Sequence, residues 1–377
     1  MESATLNTTK KIVHMTSVHR PFDTRIFHRE CKSLKATGHE VVLIAPHEKD
    51  EVADGITIRG VTRPRNRFQR MFQTVWHVYR RATEERGCVY HFHDPELIPV
   101  GILLKLRGRR IVYDVHEDVP ADILDKEWIP PFIRKPLAFL MYVLHKFCTY
   151  VFDAIVVATP TIKNGFSNRK TVLVQNFPPI SELVVEDDTK YAARPLRVAY
   201  IGGISIPRGA KEMVLAMEYV RDHDARLILA GRFDPPQLQH SLELLQGWRW
   251  VDYVGWQSRE GVRNVLASSR LGLAVLKAKA NYLNSQATKL YEYLSAGLPV
   301  VVSNFPRWVD FVQTVQCGLT VDPDDPEAIA EAITWMLNHP DQAEQMGRNG
   351  RRAVMEIYNW ERESEKLLEM YHRLLSG

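Results

Sequence analysis

The 377-residue sequence is poor in cysteine: it has four, Cys31, Cys88, Cys148 and Cys317, and none forms a CxxC pair. Widely spaced in apolar segments, they exclude a disulfide framework and predict reduced thiols in a cytoplasmic protein. No stretch reaches the 18 or more uncharged apolar residues of a membrane span. The opening MESATLNTTKK lacks the apolar core of an export signal, so a cytoplasmic location is expected. The first strand-to-helix loop, SVHRPFDTR, lacks GxGxxG glycines, which excludes a dinucleotide fingerprint there. Internal repeats, low-complexity tracts and nucleic-acid module motifs are also missing, and no nucleic-acid partner is expected.

What is present is the composition of a soluble globular chain, 45% hydrophobic and 25% charged, long enough for two domains each with its own core. Charge is uneven. Residues 1–180 carry 27 basic against 19 acidic residues, a net +8, while the remainder holds 22 against 26, a net −4. An anionic partner surface is therefore expected to meet the first half.

Read in order, Lys11–Thr16 is a strand, Ile26–Thr37 a helix ending at Gly38, and Glu40–Ala45 a second strand, the length of a parallel crossover unit. Asp23 and Arg25 in the intervening loop either pair, cap the helix or meet a ligand. Arg63 to Thr83 holds six arginines and no acid, with Phe68, Phe72, Val75, Trp76 and Tyr79 at helical spacing. Such a helix suits an anionic lipid interface, or packs as an amphipathic core helix with a solvated basic face. HFHDPE follows the strand Cys88–Phe92, and His116, Glu117 and Asp118 follow Arg110–Val115, so both clusters stand at strand carboxyl ends, where open α/β sheets bind ligands. His91 and His93 point to one strand face. With Asp94, His116 or Asp118 they compose a hydrolase-like metal alternative, which leaves the second half without a role. Ile129–Val151 predicts an apolar, basic helix pair that packs on the sheet or lies on a bilayer.

The second half repeats the strand–helix alternation. Leu196–Ile201 enters GGISIPRGAKEMVLAM, where Gly202 and Gly203 allow close backbone approach to a diphosphate and Arg208 adds a cation. The stretch Asn284–Asn304, NSQATKLYEYLSAGLPVVVSN, predicts a loop, a short helix, a turn at Gly297 and Pro299, and a buried strand. Thr288 and Lys289 at the helix start offer N–H groups and an ammonium to phosphate, and Glu292 one turn later offers a carboxylate to a ribose diol. An ordinary surface helix fits the same spacing, so the residues alone leave both readings open.

That stretch resembles the signature of family four of the GT-B retaining glycosyltransferases, in which an acidic residue, seven others and a glutamate lead into Ala-Gly-x-Pro-Val-Val. Glu292 matches the second glutamate, for which the resemblance implies a ribose contact, and Ala296, Gly297, Pro299, Val300 and Val301 match the turn. Asn284 stands where the family has a glutamate that grips sugar hydroxyls. Arg208-Gly209 matches the family's Lys-Gly diphosphate contact, while Gly203 replaces its arginine, and Lys289 is expected to compensate. His116 matches the active-site histidine that contacts the donor sugar near the reacting carbon. The Pro-x-Asp-x-Arg loop, HDPEL, YDVHED and the terminal YNWE extend the resemblance over nearly the whole chain, toward a bacterial surface-polysaccharide branch whose first loop lines the acceptor side.

The resemblance implies an α/β GT-B fold: two Rossmann-like domains with parallel sheets facing a central cleft. Residues 1–190 form the acceptor domain, 191–359 the nucleotide-sugar donor domain, and 360–377 a terminal helix packing back on the first. It implies hexosyl transfer from a nucleoside diphosphate sugar to a hydroxyl of a glycan or lipid-linked glycan, with retention. Catalysis is expected of His116, Arg208 and Lys289, donor binding of Gly202, Gly203, Asn284, Thr288 and Glu292, and acceptor-side contacts of Asp23, Arg25 and His93. No cofactor beyond the substrate nucleotide sugar and no metal are expected, and without a well-placed carboxylate nucleophile the implied route is front-face attack. The basic first half adds an expectation of peripheral association with the inner membrane face. Two other classes stay open: a sugar-nucleotide epimerase or hydrolase, which needs no acceptor, and an inactive sugar-binding module, which releases no nucleoside diphosphate.

Overall fold

The computed structural model describes residues 9–126, 128–166, 169–183, 191–220, 224–283 and 287–376. The chain divides into two compact units, one made of residues up to Asn176 together with those from Arg362 onward, the other of Phe177–Glu361. The break falls at 176 and not at the expected 190, because Phe177 packs edge-on against Tyr291 (centroids 4.6 Å apart) and against Tyr358 (5.5 Å) in the second unit's core.

The first unit is built on β1 (Lys11–Met15), β2 (Glu40–Pro46), β3 (Glu51–Ala53), β4 (Ile56–Val61), β5 (Val89–Phe92), β6 (Arg110–Val115), β7 (Ala154–Val157) and β8 (Thr171–Leu173). Their order is β3-β4-β2-β1-β5-β6-β7-β8. All pairings are parallel except the β3–β4 hairpin, an edge feature absent from the sequence expectations. Strand alternation gives the middle of this sheet two unlike faces. Val13, Met15, Tyr90, Phe92, Tyr113 and Val115 point into one apolar core with Val78, Leu104, Cys148 and Phe152. The opposite face of the same strands carries His14, His91 and Asp114, each fully buried. His14 pairs in register with His91 across β1 and β5. A helical run beginning with the π-turn Ile26–Cys31 and the final helix, Trp360–Ser376, supply Glu30 and Tyr371 to this polar face.

Two helical stretches of this unit leave large apolar side chains in water. The run from Arg67 to Glu85 packs Val75, Val78, Tyr79 and Ala82 on the apolar core but exposes Phe68 (73%), Phe72 and Trp76 (60%), so the core explanation holds for only part of the stripe. Pro131–Val151 is one 21-residue helix where a pair was expected. It buries Ala138, His145, Cys148 and Thr149 but exposes Phe132 (79%), Phe139, Leu140 and Tyr150 (80%).

The second unit contains β9 (Arg197–Ile201), β10 (Arg226–Ala230), β11 (Val251–Gly255), β12 (Leu271–Ala274), β13 (Val300–Ser303) and β14 (Gly318–Val321) in the order β11-β10-β9-β12-β13-β14, all parallel. Chain order reverses between β9 and β12, the switch point beside which open α/β sheets bind ligands. These two strands pair only at Val198 and Ala199 and then part, leaving backbone groups to be satisfied by side chains. The Tyr293 hydroxyl does this: it accepts from Ile201 N (3.0 Å) and donates to Leu273 O (3.1 Å). Its ring lies flat on Gly272, where an added Cβ would sit 2.3 Å from Cγ.

Gly272→Ala is accordingly expected to force Tyr293 off its position and to destabilise the second unit by about 1–3 kcal/mol, the range for overpacking. Urea unfolding followed by tryptophan fluorescence measures the shift, and an unchanged midpoint would refute the contact.

Candidate functional site

In the second unit the switch point is occupied by the turn after β9. Gly202 has φ +101°, a conformation open to glycine, and its N–H donates to Ala230 O (2.9 Å). The Gly203 carbonyl accepts from the Tyr200 hydroxyl (2.7 Å) and from Arg208 Nη1 (3.2 Å), which pins the guanidinium beside the turn. Arg208 closes the short helix Ile206–Arg208, and Gly209, at φ +73°, starts the helix Ala210–Tyr219.

Lys289 comes to the same place from the helix Thr288–Ser295, whose N-cap, Ala287, provides no side-chain hydrogen bond. Its Nζ lies 3.6 Å over the Tyr200 ring and 3.8 Å from where a Cβ on Gly202 would stand. The nitrogen is buried and makes no hydrogen bond. Burial, reinforced by the nearby Arg208 charge, holds its pKa well below the ordinary lysine range despite the opposing pull of Glu292. Two cationic groups thus converge on a glycine turn with an orphaned amine, an arrangement that an anion would complete. Glu292, a turn further on, accepts from Arg259 Nη1 (3.0 Å), a partner the sequence did not suggest. Thr288 is the first residue of that helix, and Asn284 lies outside the described residues.

In the first unit, His116 follows β6 and its side chain is 15% exposed. Its Nε2 lies 2.7 Å from Asp114 Oδ2 and 3.1 Å from His93 Nδ1, which leaves Nδ1 as the nitrogen not taken by the carboxylate. Asp114 is fully buried, and although burial raises carboxyl pKa values, Arg25 and His116 hold it well below the usual range. Arg25 donates to both Asp114 oxygens (Nε 3.2 Å, Nη2 3.1 Å) and to Val174 O (3.0 Å).

Three acceptor-side expectations change in this light. Arg25 is 4% exposed and braces Asp114 instead of reaching toward a ligand. Asp23 caps the following helical turn, its Oδ1 accepting from Arg25 N (2.8 Å) and Ile26 N (3.0 Å), while its Oδ2 faces His19 Nδ1 (3.4 Å). His93 is buried beneath His116, against His14 and Asp114. Asp94 serves to clamp the first loop, its Oδ2 accepting from Thr16 Oγ1 (2.7 Å) and Ser17 N (2.6 Å).

Gly202, Gly203, Arg208, Thr288, Lys289 and Glu292 are therefore gathered within the second unit, and Asp23, Arg25, His93 and His116 within the first. Sequence reasoning missed Asp114, Glu30, Tyr293, Tyr371 and Arg259. Only Asp114 carried a usable signal, its i, i+2 spacing from His116, which matches that of His91 and His93 on the adjacent strand.

Known proteins agree with this architecture. The family described as "Glycosyltransferase Family 4" matches residues 24–173, and "Glycosyl transferases group 1" matches residues 184–353. The uncharacterized glycosyltransferase MJ1607 of Methanocaldococcus jannaschii is 23% identical over 189 residues, 50% of this chain and 46% of its own length. The chain spans about half the length, or less, of the first curated relatives it matches. Among solved structures, the sucrose-phosphate synthase of Thermosynechococcus elongatus aligns with a TM-score of 0.77 at 17% identity, over 97% of this chain and 99% of its own. HepE of Anabaena, solved in complex with UDP and glucose, aligns with a TM-score of 0.71 at 14% identity, over 97% of this chain and 100% of its own. At such identities the likeness shows the fold.

The depressed pKa of Lys289 has a measurable consequence. An anion bound beside the amine raises its pKa, so binding takes up a proton between the free and bound values, and affinity falls as pH rises through that window. Calorimetry of pyrophosphate binding over a series of pH values, in buffers of different ionisation enthalpy, is expected to show a proton uptake beyond the ligand's own ionisation that disappears in Lys289→Met. Binding without proton exchange in the unaltered protein would contradict the assignment.

Proposed function

Because the chain belongs to the group 1 glycosyltransferases of the GT-B fold, we propose that it moves a hexosyl group from a nucleoside diphosphate sugar to a hydroxyl of a glycan or lipid-linked glycan, with retention of anomeric configuration. The observation that carries this reading is the buried Lys289 amine, without a hydrogen-bond partner, beside the Gly202–Gly203 turn and Arg208. When the glycosidic bond to the diphosphate breaks, negative charge grows on the leaving oxygen, and prearranged cations at that point favour the transition state more than the ground state. The acceptor hydroxyl attacks the anomeric carbon from the same face and passes its proton to the departing phosphate, so the products are a glycoside and a nucleoside diphosphate. Glu292 is assigned to the ribose hydroxyls, with Arg259 holding the carboxylate in place. His116, oriented by Asp114, is assigned to the sugar. Screening nucleotide sugars by mass spectrometry for thermal stabilisation and turnover tests the donor class.

The exposed aromatic surfaces favour an acceptor at a membrane. Among the described residues no helix is long and apolar enough to cross one. Arg67, at the start of the first exposed stretch, stacks on exposed Trp128, which precedes the second, 3.9 Å from the ring centroid. The aromatics of both stretches suit the headgroup region, and basic residues nearby contribute up to about 1 kcal/mol each at an anionic leaflet. Arg70 is paired with Glu96 (2.8 Å) and Arg81 with Asp50 (3.4 Å), so less charge reaches the lipid than six arginines suggest.

Glu292→Gln is expected to weaken nucleoside diphosphate binding by about 1–3 kcal/mol, as for loss of a hydrogen bond to a charged group, with the helix intact. Arg208→Ala is expected to lower turnover at a nearly unchanged melting temperature, and normal turnover would move the diphosphate seat elsewhere. For the membrane, sedimentation with anionic vesicles is expected at low salt, reduced by high salt and by Arg65, Arg67 and Arg70→Glu, and lost in Phe72→Asp/Trp76→Asp. Failure to sediment at low salt would favour an acceptor free in solution.

A further inference from the structure

The polar face of the first sheet contains an arrangement that the transfer reaction does not use. We propose that His14, Glu30, His91 and His93 form a closed structural site for one zinc-type dication. The four donor atoms lie within 4.8 Å of one another, and the residues are buried. His14 Nδ1 is 3.0 Å from His93 Nε2 and 4.0 Å from Glu30 Oε2, and His91 Nε2 is 4.0 Å from the same oxygen. A tetrahedral ion with bonds of about 2.0–2.1 Å needs donors roughly 3.3 Å apart, so binding draws the donors inward from separations of up to 4.8 Å. Three imidazoles and a carboxylate are a donor set suited to zinc.

The outer atoms strengthen the case. Metal-binding histidines are ordinarily held through their other nitrogen. Here the Tyr371 hydroxyl meets His91 Nδ1 (2.7 Å) and His14 Nε2 (3.3 Å), and Asp114 Oδ2 meets His93 Nδ1 (3.3 Å). Glu30 Oε1 lies 3.0 Å from Arg25 Nε. Because Arg25 is matched by Asp114, Glu30 remains to balance a further cation. The inner atoms Glu30 Oε2 and His91 Nε2 are buried and make no hydrogen bond, which a native interior rarely tolerates without a ligand. The competing arrangement is a proton shared among Glu30 and the imidazoles.

The test uses the full chain purified from zinc-supplemented medium. Elemental analysis is expected to find zinc at one ion per chain. Chelator treatment is expected to lower the melting temperature and zinc to restore it. Cobalt(II) loaded into the stripped protein is expected to show the visible bands of a tetrahedral nitrogen–oxygen site. His91→Gln and Glu30→Gln, where they fold, lose the ion and the chelator sensitivity. Chain without stoichiometric zinc, without a tetrahedral cobalt spectrum and insensitive to chelator would overturn the proposal in favour of the shared proton. Zinc retained unchanged in both variants would overturn it by placing the ion elsewhere. Nucleotide-sugar turnover is read separately, so loss of either reading leaves the other standing.

Discussion

A guanidinium and a carboxylate buried against one another set the terms for the interior of the first unit. Taking Asp114 and Arg25 out of water costs several kcal/mol per ion, which only close mutual contact and further hydrogen bonds offset. The Val174 carbonyl, His93 and His116 supply those contacts. The pair therefore organises what surrounds it: the first helical turn must deliver Arg25 inward, β6 must place Asp114 opposite, and His116 inherits its orientation. Replacing Asp114 or Arg25 removes the closest counter-charge of the other, so the pair and its histidines behave as one object.

The second unit solves a different problem, the gap that opens where the chain segments leaving two neighbouring parallel strands part at the switch point. Tyr293 closes it from the helix that also carries Lys289 and Glu292. A single eight-residue helix thus ties down the sheet and presents charge at its edge. This coupling explains why Gly272 and Tyr293 belong to the same arrangement as Lys289 and the Gly202 turn, although neither bears a charge.

Much of this was legible in the residues. The glycine turn, the helix with Thr288, Lys289 and Glu292, and the strand ends with His93 and His116 stand where periodicity and turn chemistry put them. Glu30 and Tyr371 were not legible, because each sits in a helix whose pattern reads as ordinary amphipathic surface, and only tertiary packing brings them to a sheet face from distant parts of the chain. Arg25 misled for the converse reason: a cation in a loop at a strand end suggests a ligand, and nothing local announces a buried partner 89 residues away. The aromatic stripe at Phe68, Phe72 and Trp76 has a helical period, and period alone does not tell a core from an exposed face.

Tyr371 also bears on how the protein is made. The interior polar face of the first unit is completed by a hydroxyl 280 residues downstream of His91. During synthesis β1, β5 and β6 leave the ribosome long before that helix exists. The histidine face must wait, partly solvated, until the helix arrives. The first unit therefore closes only after the intervening second unit has been made, and its polar interior is what a chaperone or protease would meet in the interval.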